Sequence, residues 1–220
     1  MLTAELFKPL AWRDKAMKFF LSILLTFAWF ASPVNAQQKP DTPFNRMMKD
    51  SFRSQGIAGL DRIVQDATQR FCSNPQFAAS PAGIKKAEEL QKLNMATIAP
   101  PSDGQYLGDW KNGEAIAQSG RGDTWSDSAS TPNGGGCYNC HQINQKEIAY
   151  GNIGPSLWNY GKNRGYSPEL VSYTWNRISN SKAYNACSNM PRFAHFKILD
   201  QKQIQDVMAL LLDPASPVNQ

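Results

Sequence analysis

Three residues at a fixed spacing dominate the chemistry open to this chain. Cys137-Tyr138-Asn139-Cys140-His141 sets two thiols two residues apart and an imidazole directly after the second. Thiols at that separation can reach the two vinyl groups on one side of a porphyrin as thioethers, and the next residue then brings its imidazole beneath the iron. The spacing therefore predicts one covalent haem c, with Cys137 and Cys140 as linkers and His141 as proximal ligand. A zinc site calls for four nitrogen or sulfur ligands, commonly as two close pairs. The cysteines and histidine left over, Cys72, Cys187 and His195, include no second close pair. A thioredoxin-type thiol pair calls for a βαβ setting, and no strand pattern surrounds this one.

The sixth iron position decides what such a centre does. A side chain there closes the iron to oxygen and substrate and leaves an electron relay, and a thioether raises the reduction potential. Met190 is the leading candidate, 49 residues past His141 in Ser188-Asn189-Met190-Pro191, between two predicted helices. Met95 falls inside a predicted helix and Met208 on an apolar stripe, so both read as core. Met47 and Met48 receive no placement from the pattern. His195 is the rival and would make the iron bis-histidine and low-potential. Cys72 and Cys187 are expected to pair in an oxidising compartment, while free thiols and a bond to another chain are the alternatives. A bridge would close a loop of about 115 residues, for which chain entropy suggests roughly 5 kcal/mol. It would also staple the N-terminal part of the chain to the segment just before Met190.

The first 36 residues read as a secretory signal peptide. Lys8, Arg13, Lys15 and Lys18 lead, residues 19–31 form an uncharged apolar run, and Val34-Asn35-Ala36 offers small residues for cleavage. Met17 is an alternative start, because Met17-Lys18 and the run already make a complete signal. Thirteen apolar residues fall short of the roughly 20 that cross a bilayer. The expectation is a cleaved signal and a periplasmic protein without stable membrane insertion. The whole chain carries +5, and about +3 without those 36 residues, too mild for a nucleic-acid partner. Between Cys137 and Asp200, seven basic residues (Lys146, Lys162, Arg164, Arg177, Lys182, Arg192, Lys197) face three acids. They are either a solvated face or a positive collar that guides an acidic partner.

The elements that must position these groups read as helices. Ile57, Leu60, Val64, Ala67 and Phe71 fall at steps of three and four within residues 44–71, with a break expected at Gly56 and Gly59. A second helix starts at Ser80 with Pro81 in its first turn, and carries Ile84, Ala87, Leu90 and Leu93 as its apolar stripe. Further helices are expected over 109–119, from Ser167-Pro168-Glu169 onward, and from Asp200 with Gln203 completing a capping box. Residues 120–136 read as surface loop. The fold class is all-α: a signal over 1–36, a helical extension over 37–100 packed on the core, and a haem domain over 101–220. Two helices of that length cannot enclose a core by themselves, so the extension should lie against the rest.

With these motifs in place the chain resembles class I cytochromes c. Cys137 to His141, then Gly151-Asn152-Ile153-Gly154-Pro155-Ser156-Leu157, then Ser188-Asn189-Met190-Pro191-Arg192-Phe193 follow one another in that order. The tail narrows the likeness: Gln203-Ile204-Gln205-Asp206 leads through Leu210-Leu211-Leu212-Asp213-Pro214 to Ser216-Pro217-Val218-Asn219. Residues 102–220 are similar to the SoxX family, the mono-haem subunits of the SoxAX sulfur-oxidation cytochromes. That resemblance implies the class I cytochrome c fold, His141 and Met190 as axial ligands, and a Pro155 carbonyl that orients His141. It further implies a SoxA-type haem partner that carries the bond-making chemistry, coupling thiosulfate to a cysteine of a carrier protein. This chain would then pass electrons to a small soluble cytochrome c and be inactive alone. The alternative is a free-standing periplasmic electron shuttle, and a third reading is a haem sensor with an exchangeable sixth ligand.

Overall fold

The structure is a computed structural model that describes residues 42–220; the expected signal peptide lies outside the described residues. Chain-internal packing separates residues up to Ser51 from a second unit, Phe52–Gln220. Of the first unit the structure describes one helix, α1 (Pro43–Ser51), whose Phe44 and Met47 are exposed.

The second unit is built from short helices joined by long turns. They are α2 (Ala67–Cys72), α3 (Pro75–Ala78), α4 (Pro81–Met95), α5 (Trp110–Gln118), α6 (Tyr160–Arg164), α7 (Pro168–Ser179) and α8 (Gln201–Leu212). Among the described residues no strand forms; the nearest approach is an isolated bridge between Gln55 and Ala58. The all-α class is therefore observed for these residues. Local side chains start the helices. Asp66 and Asp200 cap α2 and α8 in full capping boxes with Gln69 and Gln203, and Asn74, Ser80, Asp109 and Ser167 cap α3, α4, α5 and α7.

Helix α8 is the centre of the main core, buried from Ile204 through Leu212. It crosses α5 closely at Gly113, where a β-carbon would lie 2.1 Å from the Asp206 carbonyl oxygen. Asp206 is buried there, and its carboxylate accepts from the Asp109 amide at 2.7 Å and from the Lys202 ammonium. Ala117, Tyr138, Ile143, Tyr160, Trp175, Ile178 and Phe193 complete this core. The tail folds back over the end of α8. Ser216 donates to the Leu210 carbonyl at 2.5 Å and Asn219 to the Leu211 carbonyl at 3.1 Å, satisfying acceptors that a helix end leaves open.

Two helical patterns come out differently from expectation. The three-and-four pattern of residues 44–71 does not make a helix between Ser51 and Ala67. Gly56 takes a left-handed φ of +52°, residues Leu60–Ile63 form a 3-10 turn, and Leu60 and Val64 stay exposed. On α4 the buried face is Gly83, Leu90 and Asn94, while Ile84 and Leu93 are 56% and 62% exposed. Close packing rotates the helix: Gly83 sits where a β-carbon would be 1.9 Å from the Phe77 carbonyl, and Asn94 enters a polar contact with Asn180. Leu90 then packs with Phe71 and Ala186 in a second, smaller core.

Candidate functional site

The two thiols and the imidazole sit on one tight turn against the C-terminal end of α5. Gly135 and Gly136 donate to the carbonyls of Ile116 and Ser119, each at 2.8 Å, which brings the chain flat against that helix. Gly136 takes φ +56°, a conformation suited to glycine, and the 3-10 turn Cys137–Asn139 follows. The Cys137 carbonyl accepts from both the Cys140 and His141 amides, so one acceptor fixes the whole motif. Both thiols are free and half-buried. Desolvation pushes the Cys137 thiol up to about 11, so it is protonated at neutral pH.

Residues 151–157 run beside the motif and lock His141. The amides of Gly151, Gly154 and Leu157 donate to the carbonyls of Tyr138, Cys140 and Gln142 at 2.7–2.8 Å. His141 Nδ1 lies 2.7 Å from the Pro155 carbonyl oxygen. A carbonyl only accepts, so Nδ1 carries the proton and the lone pair of a neutral ring sits on Nε2. Gly154 makes this possible: a β-carbon there would fall 2.2 Å from His141 Cε1. The contact expected of Pro155 is thus present, and Gly154 is a part of the site that the sequence reading did not single out.

Met190 is half-buried and packs, like Cys137, against the main core. Its amide donates to Ser188 Oγ at 3.2 Å and its carbonyl accepts from Ser181 Oγ at 2.6 Å. It also borders a cavity of about 300 Å³ with Lys182, Arg192 and Phe196. Cys72 and Cys187 form a disulfide across 115 residues, three positions before Met190. Met208 is fully buried inside α8, Met95 is half-buried on α4, and Met47 is exposed in the other unit. His195 lies exposed in the Met190 loop, its ring edge-on to Phe196 at 5.0 Å. Its pKa is lowered, by burial first and then by the Arg192 charge.

Charge around this loop departs from a simple collar. Arg192 is 2% exposed, ion-paired to Asp66 and stacked 4.3 Å over the Phe196 ring. Lys182 is 9% exposed, and its ammonium donates to the Ala186 carbonyl at 2.9 Å. Two of the seven basic residues are therefore inside the fold, where they organise the loop and cannot meet a partner. The Asp66–Arg192 pair, like the Asn180–Asn94 contact, joins residues too far apart in sequence for periodicity to connect. Asp66 with Gln69 could have been read as a capping box.

These donors suit a haem c. Among the described residues no three His, Cys, Asp or Glu side chains gather as a metal-binding group. An imidazole with its Nε2 lone pair free, beside two unpaired thiols, would be able to hold such a haem. Among the described residues no helix is long and apolar enough to cross a membrane.

No family model matches the chain. It is similar to a protein of Aquifex aeolicus (strain VF5) called an uncharacterized lipoprotein, with 39% identity over 159 residues, which span 71% of this chain and 73% of that protein.

Proposed function

This chain belongs to the family of the Aquifex aeolicus lipoprotein, and we propose that it is an exported mono-haem c-type cytochrome that works as an electron relay. The observation that carries this reading is the oriented imidazole. His141 is held through Nδ1 by the Pro155 carbonyl, with Nε2 left as a donor beside two free thiols. Cys137 and Cys140 would hold haem c as thioethers, and His141 and Met190 would ligate its iron. Bound there, the haem would supply a one-electron couple. The Pro155 carbonyl fixes the tautomer and angle of His141 and raises its basicity. Met190 and Cys137 both pack against one apolar core. The relative's description as a lipoprotein and the Cys72–Cys187 bond both support export into an oxidising compartment, the periplasm.

At finer grain the chain reads as the SoxX-type subunit of a SoxAX complex with the class I cytochrome c fold. The support is the Met190 loop and the tail, which resemble that family. On this reading a SoxA-type partner couples thiosulfate to a carrier cysteine, and this chain conducts electrons onward to a soluble cytochrome c. The chain alone turns over nothing. Acid–acetone extraction followed by an alkaline pyridine spectrum tests the haem: colour retained on the polypeptide is expected, and extracted colour contradicts covalent attachment. Pull-down on the tagged chain at micromolar concentration tests the complex. A stoichiometric second haem protein is expected, while a chain recovered alone that is readily oxidised by a small cytochrome c favours the free shuttle.

A further inference from the structure

The Met190 loop makes mostly local hydrogen bonds of its own. Ser188 donates to the Asn185 carbonyl, Cys187 to the Asn185 side chain and Met190 to Ser188. A segment tied only in this way opens at low cost, and a neutral thioether on a metal is then easily lost. Beside the Ser181 and Lys182 contacts from the end of α7, the loop is tied by residues 66–97, far away in sequence. The Cys72–Cys187 disulfide secures it three residues before Met190. The Asp66–Arg192 pair secures it two residues after. Between α7 and the loop, Asn180 donates to Asn94 Oδ1 at 3.0 Å and to Thr97 Oγ1 at 3.1 Å, while Asn94 donates to Thr68 Oγ1 at 3.0 Å. Ser181, next in the chain, donates to the Met190 carbonyl.

We propose that residues 66–97 are a positioning clamp for Met190, with the Cys72–Cys187 bond and the Asp66–Arg192 pair as its two grips. The proposal rests on the haem reading above. The charge arrangement explains why the second grip matters. Arg192 is buried, and its cation is answered by Asp66, by Asn94 Oδ1 at 3.4 Å and by the Phe196 ring. Without the carboxylate this buried charge is uncompensated, and rehydrating it requires Arg192 to move outward. Pro191 alone separates Arg192 from Met190, so the sulfur moves with it.

Asp66→Asn isolates the grip from the cap. Asn still accepts from the Gln69 amide as an N-cap, while it cannot neutralise Arg192. The test uses the purified haem-loaded protein as wild type, Asp66→Asn and the Cys72→Ser/Cys187→Ser double variant. Hydrogen exchange is followed over residues 185–192 and 201–212, together with the imidazole concentration that half-displaces the sixth ligand of the ferric haem. In both variants exchange over 185–192 should quicken about tenfold and the imidazole midpoint fall about tenfold, the scale of one lost charge-assisted contact. Exchange over 201–212 should be unchanged in Asp66→Asn, while in the double variant it quickens with the lost loop closure. Unchanged exchange over 185–192 overturns the clamp. Faster exchange with an unmoved imidazole midpoint also overturns it, because residues 66–97 would then be structural only. A wild type without covalent haem defeats the haem reading instead, and exchange over 185–192 then decides by itself whether the grips hold the loop.

Discussion

At the scale of single residues, the site depends on small groups where a larger one cannot fit. Gly154 is the sharpest case, since any β-carbon there meets the His141 ring at 2.2 Å. Gly154→Ala should displace the imidazole, costing roughly 1–3 kcal/mol by overpacking and converting part of the ferric protein to high spin in its absorption spectrum. Pro155→Ala keeps the carbonyl that His141 uses and should leave the spectrum unchanged. The thiols give an independent check. In a chain expressed without haem attachment, burial holds the Cys137 thiol near a pKa of about 11. Its alkylation by iodoacetamide at pH 8, followed by mass spectrometry, should be slower than that of an ordinary cysteine by roughly two orders of magnitude. Asp66 sets a pH dependence. Burial alone would raise its pKa, but the Gln69 amide and Arg192 together hold it below the ordinary 3.8. A depressed carboxylate stabilises the fold above its unfolded value, and that contribution drains away as pH falls through the lowered folded value. Acid unfolding of wild type followed by circular dichroism should show this loss below about pH 4, and Asp66→Asn should lack that component.

At the scale of elements, the crossing of α5 and α8 supports both the Cys137–His141 turn and the tail. Gly113→Val would drive a side chain into the Asp206 backbone and should lower stability in urea by about 3 kcal/mol or more. The helix starts were legible because capping is local: Ser80, Asp109, Ser167 and the Asp200–Gln203 box each act within one turn. The Cys137–His141 turn was legible for the same reason, its two thiols and imidazole falling within five residues. The buried face of α4 was not. Its orientation follows from Asn94 meeting Asn180 and from Gly83 meeting Phe77, contacts that lie outside any periodicity within the helix. Residues 52–66 misled the pattern, because steps of three and four carry no information about what the apolar side chains will pack on. Leu60 and Val64 find nothing to cover them and stay exposed.

At the scale of the whole molecule, one long closure ties α2 to the segment before Met190. The Cys72–Cys187 bond spans 115 residues and encloses the Cys137–His141 turn, so its removal frees a large unfolded-state loop. The Cys72→Ser/Cys187→Ser variant should lose up to about 5 kcal/mol in urea unfolding. The same closure links the N-terminal helices to the Met190 loop, as the pairing expected of Cys72 and Cys187 implied, and the Asp66–Arg192 pair adds a tie that the sequence did not express.

The proposed axial ligands are tested most directly by the oxidised optical spectrum of the haem-loaded protein beside Met190→Ala and His195→Ala. The weak red-edge band of methionine sulfur on ferric haem should appear in wild type and His195→Ala and vanish in Met190→Ala. A wild-type spectrum without that band, altered only by His195→Ala, would contradict the relay with Met190 as its ligand and leave a bis-histidine iron.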